Sequence, residues 1–260
     1  MSIQAKKSLG QHFLENNTIS QQIVDAFNQH PPFPKTILEI GPGKGALTQF
    51  LTAKTIDNLY LIEIDHQLAR YLANTYPLLA NNIVTENFLN VDLSKKWPGT
   101  VGVIGNFPYN LSSPILFHLL KYRDQVQEIV CMLQKEVAER VVSKPGNKVY
   151  GIPSVLLQAF YNVEYLFTVE PNVFNPPPKV HSAVIRLRRN DTKRLPCDEG
   201  LFFQVVKLGF QQRRKKLKNA LQGSKDLTHI LNSSFLNQRA EELTVQQFIT
   251  LTQQVNACEC

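Results

Sequence analysis

From Thr36 onward the chain alternates short apolar runs with stretches whose apolar residues recur at helical spacing. Thr36–Ile40, Leu59–Ile64, Ile83–Glu86, Val101–Ile104 and Glu128–Leu133 read as strands. Ala46–Ala53, His66–Tyr76 and Ser112–Tyr122 read as helices, and a further helix begins over Lys135–Val142. Short apolar strands separated by amphipathic helices predict an α/β fold with a mostly parallel sheet covered on both faces. Ahead of the sheet, Ile19, Ile23, Val24 and Phe27 share one helical face, and His30-Pro31-Pro32-Phe33-Pro34 breaks the chain. Pro153–Tyr161 reads as a helix, and Tyr165–Val169 and Val180–Leu187 as late strands pairing antiparallel at the sheet edge. Past Arg189 the strand signal fades. Leu201–Phe210, Lys215–Leu221, Leu227–Leu231 and Val245–Val255 all read as helices, which predicts two domains, 1–190 and a small all-helical 191–260.

The first strand runs into Glu39-Ile40-Gly41-Pro42-Gly43-Lys44-Gly45. Glycines at such a turn let the backbone bend sharply and approach a ligand closely, which marks Gly41, Gly43 and Gly45 as cofactor-binding. The spacing is Gly-x-Gly-x-Gly, not the Gly-x-Gly-x-x-Gly of a dinucleotide pyrophosphate site. Glu63 stands at the end of the second strand, where a carboxylate can hold both hydroxyls of a ribose. Asp65, two residues on, competes for that role; Glu63 is nearer the carboxyl end of the strand. Open parallel sheets bind ligands beyond that edge, where the glycine loop, Glu63, the segment after Glu86 and Asn106 all fall. The expectation is an adenosine-containing cofactor beside a pocket for a second base.

Gly105-Asn106-Phe107-Pro108-Tyr109 would supply that second pocket. Asn106 offers a carbonyl that accepts from an exocyclic amine. Pro108 has no N–H and restrains Phe107 to an extended geometry, leaving the Phe107 carbonyl as a second acceptor. Tyr109 brings a face on which a base stacks, worth roughly 1–3 kcal/mol. A nicotinamide enzyme is disfavoured, because nothing in Asn106–Tyr109 suits hydride chemistry.

Charge changes the picture next. Lys and Arg number 28 against 21 Asp and Glu, a formal +7, which points to a polyanionic partner. The basic residues gather late: Arg186, Arg188, Arg189, Lys193, Arg194, Lys207, Arg213, Arg214, Lys215, Lys216 and Lys218, against only Asp191, Asp198 and Glu199. Arg213, Arg214, Lys215, Lys216 and Lys218, packed into one or two helical turns, form the expected phosphate-contacting ridge. The spacing of Cys131, Cys197, Cys258 and Cys260 fits neither a zinc site nor a disulfide framework, and the six histidines form no ligand cluster. No metal is expected. Without a leader-like or membrane-length apolar run, a soluble cytoplasmic protein is expected, and nothing demands more than a monomer.

These motifs, with Ser8-Leu9-Gly10-Gln11-His12-Phe13-Leu14, Met132-Leu133-Gln134-Lys135-Glu136-Val137, Lys148-Val149-Tyr150-Gly151, Phe174-Asn175-Pro176-Pro177-Pro178-Lys179-Val180-His181-Ser182 and Gln212-Arg213-Arg214-Lys215, resemble in this order the ribosomal RNA adenine dimethyltransferases. The resemblance runs nearly end to end and is closest to the bacterial small-subunit members. It implies a Rossmann-like methyltransferase domain, S-adenosylmethionine as methyl donor and N6,N6-dimethyladenosine as product. The substrate it implies is a pair of adjacent adenosines near the 3′ end of 16S rRNA within a pre-ribosomal small subunit. By position, His12, Leu14, Gly41, Glu63 and Asn106 would contact the cofactor or its surroundings. Asn106, Phe107, Pro108 and Tyr109 would hold the target adenine, and Phe174, on a stiff exposed edge before a proline run, would stack on its other face. Where the family generally has an acid touching the cofactor's adenine amine, this chain has Asn87, which keeps an acceptor and loses the charge. Two alternatives stand beside this reading: a sister enzyme acting on a large-subunit rRNA adenine, and an assembly-checking ribosome-binding factor with weak catalysis.

Overall fold

The structure, a computed structural model, describes residues 4–6, 9–27, 29, 31, 33–54, 58–221 and 233–256. The expected helix at 227–231 and the cysteines at 258 and 260 lie outside the described residues. In chain order the strands are β1 Phe13–Leu14, β2 Thr36–Ile40, β3 Leu59–Ile62, β4 Ile83–Val84, β5 Val101–Asn106, β6 Val126–Gln134, β7 Tyr161–Val169, β8 Phe174–Asn175 and β9 Ser182–Arg189. The α-helices are α1 Asn17–Ala26, α2 Thr48–Leu51, α3 His66–Thr75, α4 Leu93–Lys96, α5 Ser112–Lys121, α6 Lys135–Val142, α7 Ile152–Gln158, α8 Glu199–Gln211, α9 Leu217–Leu221 and α10 Val245–Asn256.

Seven strands form one sheet in the order β4-β3-β2-β5-β6-β9-β7. Pairing is parallel from β4 through β6, and β9 then joins β6 antiparallel, so the sheet is the mostly parallel one the pattern predicts. Its central strands β2, β3, β5 and β6 are buried almost throughout: Leu38, Leu59, Leu61, Val103, Ile104, Ile129 and Val130 are fully enclosed. Each such side chain contributes roughly 1.5–3 kcal/mol through removal from water. The chain winds outward from β2 to β4 and then returns to β5 on the other side of β2. That reversal opens a crevice past the carboxyl ends of β2 and β5, where helices leave the sheet in opposite directions.

Two boundaries differ from the pattern for reasons that matter to the site. β5 extends past Ile104 to Asn106, because Asn106 stays in register with Met132 and the Phe107 N–H donates to the Met132 carbonyl at 2.9 Å. The helix expected over Ala46–Ala53 shrinks to α2, because the preceding residues are held in turns with Gly43 and Gly45 at φ +57° and +85°. A separate two-stranded ribbon pairs β1 with β8, Leu14 opposite Phe174 and Phe13 opposite Asn175. Nothing in the hydrophobic pattern pointed to it.

The chain divides into two compact units, one of residues 1–138 and 164–189, the other of 139–163 and 190–260. The sequence expectation placed one cut near residue 190; the structure also assigns α7 and its flanking loops to the second unit. That unit is helical around buried Phe202, Phe248 and Tyr150. Among the described residues no helix is long and apolar enough to cross a membrane.

Candidate active site

A pocket in the first unit opens at the predicted crevice. It is lined by Gly10–Leu14, the turn Glu39–Lys44, Ile62–Ile64, Glu86–Leu89 and Asn106–Tyr109. These segments come from five separate parts of the chain, and the parallel sheet brings them to one edge.

At one end lies the glycine turn. Gly41 and Gly43 take φ +66° and +57°, backbone that favours glycine. A Cβ at Gly43 would meet the Phe13 ring at 3.2 Å, a tighter contact than most side chains make, so the turn and the N-terminal segment lie close together. Glu63 is 5 % exposed and faces this turn. Its two carboxylate oxygens accept from the N–H of Gly43 at 3.2 Å and of Asp65 at 2.9 Å. Burial raises its pKa, backbone hydrogen bonds oppose that rise, and the neighbouring Asp65 adds to it. Each oxygen retains an acceptor site beyond its backbone partner. Glu39, 1 % exposed, accepts from the Thr48 hydroxyl at 2.7 Å, and burial pushes its pKa up to about 8.

Glu63 and Asp65 differ in their hydrogen bonding. Asp65 caps α3 through the Gln67 N–H at 3.0 Å and receives Lys6 Nζ at 2.8 Å and Gln11 Nε2 at 3.3 Å. Burial works to raise its pKa, but these bonds, led by Lys6, outweigh it and the value is lowered. Asp65 does not line the pocket; Glu63 does. Asn87 also lines it, yet its side-chain carbonyl accepts from Leu89 N–H at 3.1 Å and caps a short 3-10 turn.

The other end is built on the carboxyl end of β5. Gly105 is glycine by necessity, since a Cβ would run into the carbonyl of Ile40 on the adjacent β2. Asn106 donates its side-chain N–H to the His12 carbonyl at 3.1 Å, which turns its oxygen to the opposite side. The Pro108 carbonyl is engaged by the Leu111 N–H at 2.9 Å and the Ser112 hydroxyl at 3.1 Å. Among the described residues no donor reaches the Phe107 carbonyl. Tyr109 is tied through its hydroxyl to Ser182 Oγ at 2.5 Å, and the His12 ring stacks on it with centroids 5.4 Å apart and planes 23° from parallel. Two carbonyl acceptors and an aromatic plate at one rim suit a flat base bearing an amine.

The profile of the ribosomal RNA adenine dimethylase family matches residues 2–257. A relative from Cytophaga hutchinsonii, "Ribosomal RNA small subunit methyltransferase A", is 50% identical over 250 residues, covering 96% of each chain. The chain belongs to the ribosomal RNA adenine dimethylase family. It is an rRNA methyltransferase with the Rossmann-like fold expected of one. The fold likeness extends to solved structures. A dimethyladenosine transferase from Plasmodium falciparum superposes with a TM-score of 0.75 at 22% identity, over 95% of this chain and 98% of that one. The 23S rRNA methyltransferase ErmE gives 0.68 at 22% identity, over 94% and 99%.

Within this dimethylase, His12, Leu14, Gly41, Gly43, Glu63, Asn87, Asn106, Phe107, Pro108 and Tyr109 all line one pocket. Two expected members do not. Gly45 sits behind the turn, where a Cβ would strike the Tyr76 ring at 2.9 Å; its freedom serves packing. Phe174 is not on an exposed edge: it is 3 % exposed and packs in the hydrophobic core, opposite Leu14 in the β1–β8 ribbon. What sequence reasoning missed is the reason for that ribbon. It carries His12 to Asn106 and Tyr109, and no local pattern in a two-residue strand announces such a contact.

The basic segment of the second unit also differs from expectation. Gln212–Lys216 is a turn between α8 and α9 rather than helix. Arg214, Lys215, Lys216 and Lys218 are exposed on and after it. Arg213 turns inward, donating to Glu241 at 2.8 Å, the Tyr150 carbonyl at 3.0 Å and the Asn147 carbonyl at 3.4 Å. Farther back, Arg186 is 8 % exposed and held by Glu164, the Ala26 carbonyl and Gln29, so it adds nothing to an exposed basic surface.

Proposed function

We propose that the protein transfers methyl groups from S-adenosylmethionine to the N6 amines of two adjacent adenosines near the 3′ end of 16S rRNA, producing N6,N6-dimethyladenosine. The observation that carries this reading is the Asn106 amide, anchored by its N–H at His12 so that its oxygen stands ready beside the unpaired Phe107 carbonyl. The small-subunit assignment rests on the 50% identical Cytophaga relative; the fold alone resembles enzymes of both ribosomal subunits.

The residues fit an adenosine-containing methyl donor. Gly41 and Gly43 keep side chains out of the cradle, and Glu63 presents buried acceptor sites suited to a ribose diol. Asn87 has one acceptor lone pair left after capping Leu89, so it holds a cofactor amine more weakly than a carboxylate would, since neutral hydrogen bonds are roughly half as strong as charge-assisted ones. When bound, S-adenosylmethionine supplies a methyl group already activated by its positive sulfur. The protein therefore contributes alignment and exclusion of water rather than acid–base chemistry. Asn106 Oδ1 and the Phe107 carbonyl accept from the N6 amine and stabilise the positive charge that grows on it during attack. Tyr109 stacks the ring and offsets the few kcal/mol needed to unstack the base. The surplus proton leaves to solvent, and the monomethylated amine retains one N–H for a second round.

Arg214, Lys215, Lys216 and Lys218 are the proposed phosphate-contacting ridge of a helical RNA-binding part, with Arg213 as its internal tie. The enzyme is proposed to act as a cytoplasmic monomer on a small-subunit assembly intermediate. Mass spectrometry of rRNA from cells lacking the protein tests the reading. Loss of two neighbouring dimethyladenosines from 16S rRNA, restored by the wild-type gene and not by Asn106→Ala, is the expected result. Loss from 23S rRNA, or from neither, overturns it.

A further inference from the structure

His12 makes three contacts that converge on the base-holding end of the pocket. Its backbone carbonyl accepts the Asn106 side-chain N–H at 3.1 Å, and its ring backs Tyr109. Its Nδ1 lies 2.7 Å from the Pro176 carbonyl. A carbonyl can only accept, so Nδ1 carries the proton and donates.

We propose that His12 is a positioning residue that fixes the Asn106 amide in its acceptor-facing orientation and backs the Tyr109 stacking plate. The proposal rests on the assignment of Asn106 and Tyr109 as base-holding residues. The two ends of an asparagine amide are nearly equal in shape and opposite in hydrogen-bonding sense. Turned over, Asn106 would present N–H to an amine that itself offers N–H, and transfer would stall. One acceptor at the right place prevents this, and His12 O is that acceptor. The carbonyl belongs to a short strap and needs an anchor of its own. On one side the strap is held by β1 pairing with β8 and by the Glu15 N–H on the Val173 carbonyl at 2.8 Å. At His12 itself the anchor is the imidazole on Pro176. The buried Phe174 then has a role: it seats the ribbon that aims His12. Tyr109 has two faces, one covered by His12, which leaves the other for the adenine.

The test combines three measurements on the full-length enzyme. Protein labelled with 15N-asparagine gives side-chain amide signals, that of Asn106 being the one lost in Asn106→Ala. In His12→Ala the Asn106 amide protons are expected to exchange faster with water and to shift toward the values of an exposed amide. Single-turnover methylation should slow about 10- to 100-fold, the scale of a misplaced reacting group. Cofactor affinity by calorimetry should fall by a smaller factor than the rate, because His12 lines the pocket while Glu63 and the glycine turn stay in place. His12→Asn places an amide where Nδ1 stood and should restore the Asn106 signal and most of the rate. His12→Phe keeps a ring on Tyr109 without a donor for Pro176, and its amide signal should match that of His12→Ala. An unchanged Asn106 signal in both His12→Ala and His12→Phe overturns the proposal. So does a rate loss accounted for by an equal loss of cofactor affinity. A wild-type enzyme that leaves small-subunit RNA unmethylated overturns the functional reading instead, and the amide signal still reports on the positioning.

Discussion

The two ends of the pocket are held together in different ways. At the proposed cofactor end, Glu63 is fixed by N–H groups of Gly43 and Asp65, from its own strand end and the turn beside it. At the proposed base end, Asn106 depends on His12 and Tyr109 on Ser182, residues far from them in the chain. The Glu63 contacts of the first end need only β2 and β3 side by side. The second requires the N-terminal ribbon and the antiparallel β9 to be in place as well. The cofactor end is thus built from sheet topology, and the base end from tertiary closure around it.

Substitutions can separate the two ends. Asn106→Ala has the largest expected effect: single-turnover transfer should fall about 10²- to 10³-fold, the usual consequence of losing an acceptor or donor aimed at developing charge. Cofactor binding should change far less, and a parallel collapse of cofactor affinity would erase the distinction between the ends. Glu63→Ala is the converse. Titration with cofactor should show affinity reduced roughly 10- to 100-fold, since hydrogen bonds to a charged group contribute about 1.5–3 kcal/mol. An unchanged isotherm rules out its ribose role.

The contrast between inward and outward groups recurs at the basic turn. Replacing Arg214, Lys215, Lys216 and Lys218 together by Ala should reduce the slope of log affinity against log salt by about 3, near the loss of 0.7–0.9 per phosphate contact. Arg213→Ala should instead lower Tm by ~2–4 °C, as about 1 kcal/mol does in a chain this size. A Tm unmoved by Arg213→Ala, with a flattened salt slope, would reverse these roles.

Glu39, in the lining near the glycine turn, carries a pH dependence of stability. Burial raises its pKa in the folded protein to about 8, from an ordinary value of 4.5. Between those values the unfolded chain has released this proton and the folded chain retains it, so rising pH favours unfolding. Stability should therefore decline across pH 4.5–8 and level off above. Glu39→Gln should remove that part of the decline, read from denaturant midpoints at a series of pH values. A wild-type slope retained in Glu39→Gln would place the titration elsewhere.

Residue order alone determined a good deal. Runs such as Leu59–Ile62 and Val101–Ile104, apolar at nearly every position, cannot lie at a water-facing surface, so a doubly covered parallel sheet follows from them. The glycine turn and Glu63 were legible for a related reason. They sit where consecutive strand-loop units must end, and both partners of each contact lie in recognisable local patterns. Tertiary structure decided the rest. Phe174 looks exposed beside its prolines, and the hydrophobic core around the β1–β8 ribbon buries it. Arg213 and Arg214 are adjacent and alike in sequence, yet one folds inward on Glu241 and the other faces solvent. Asp65 and Glu63 differ by two places, and the helix cap with Lys6 commits Asp65 elsewhere. In each case the deciding partner is a residue brought near by the fold. Hydrogen bonds and burial are properties of proximity in space, which spacing along the chain does not encode.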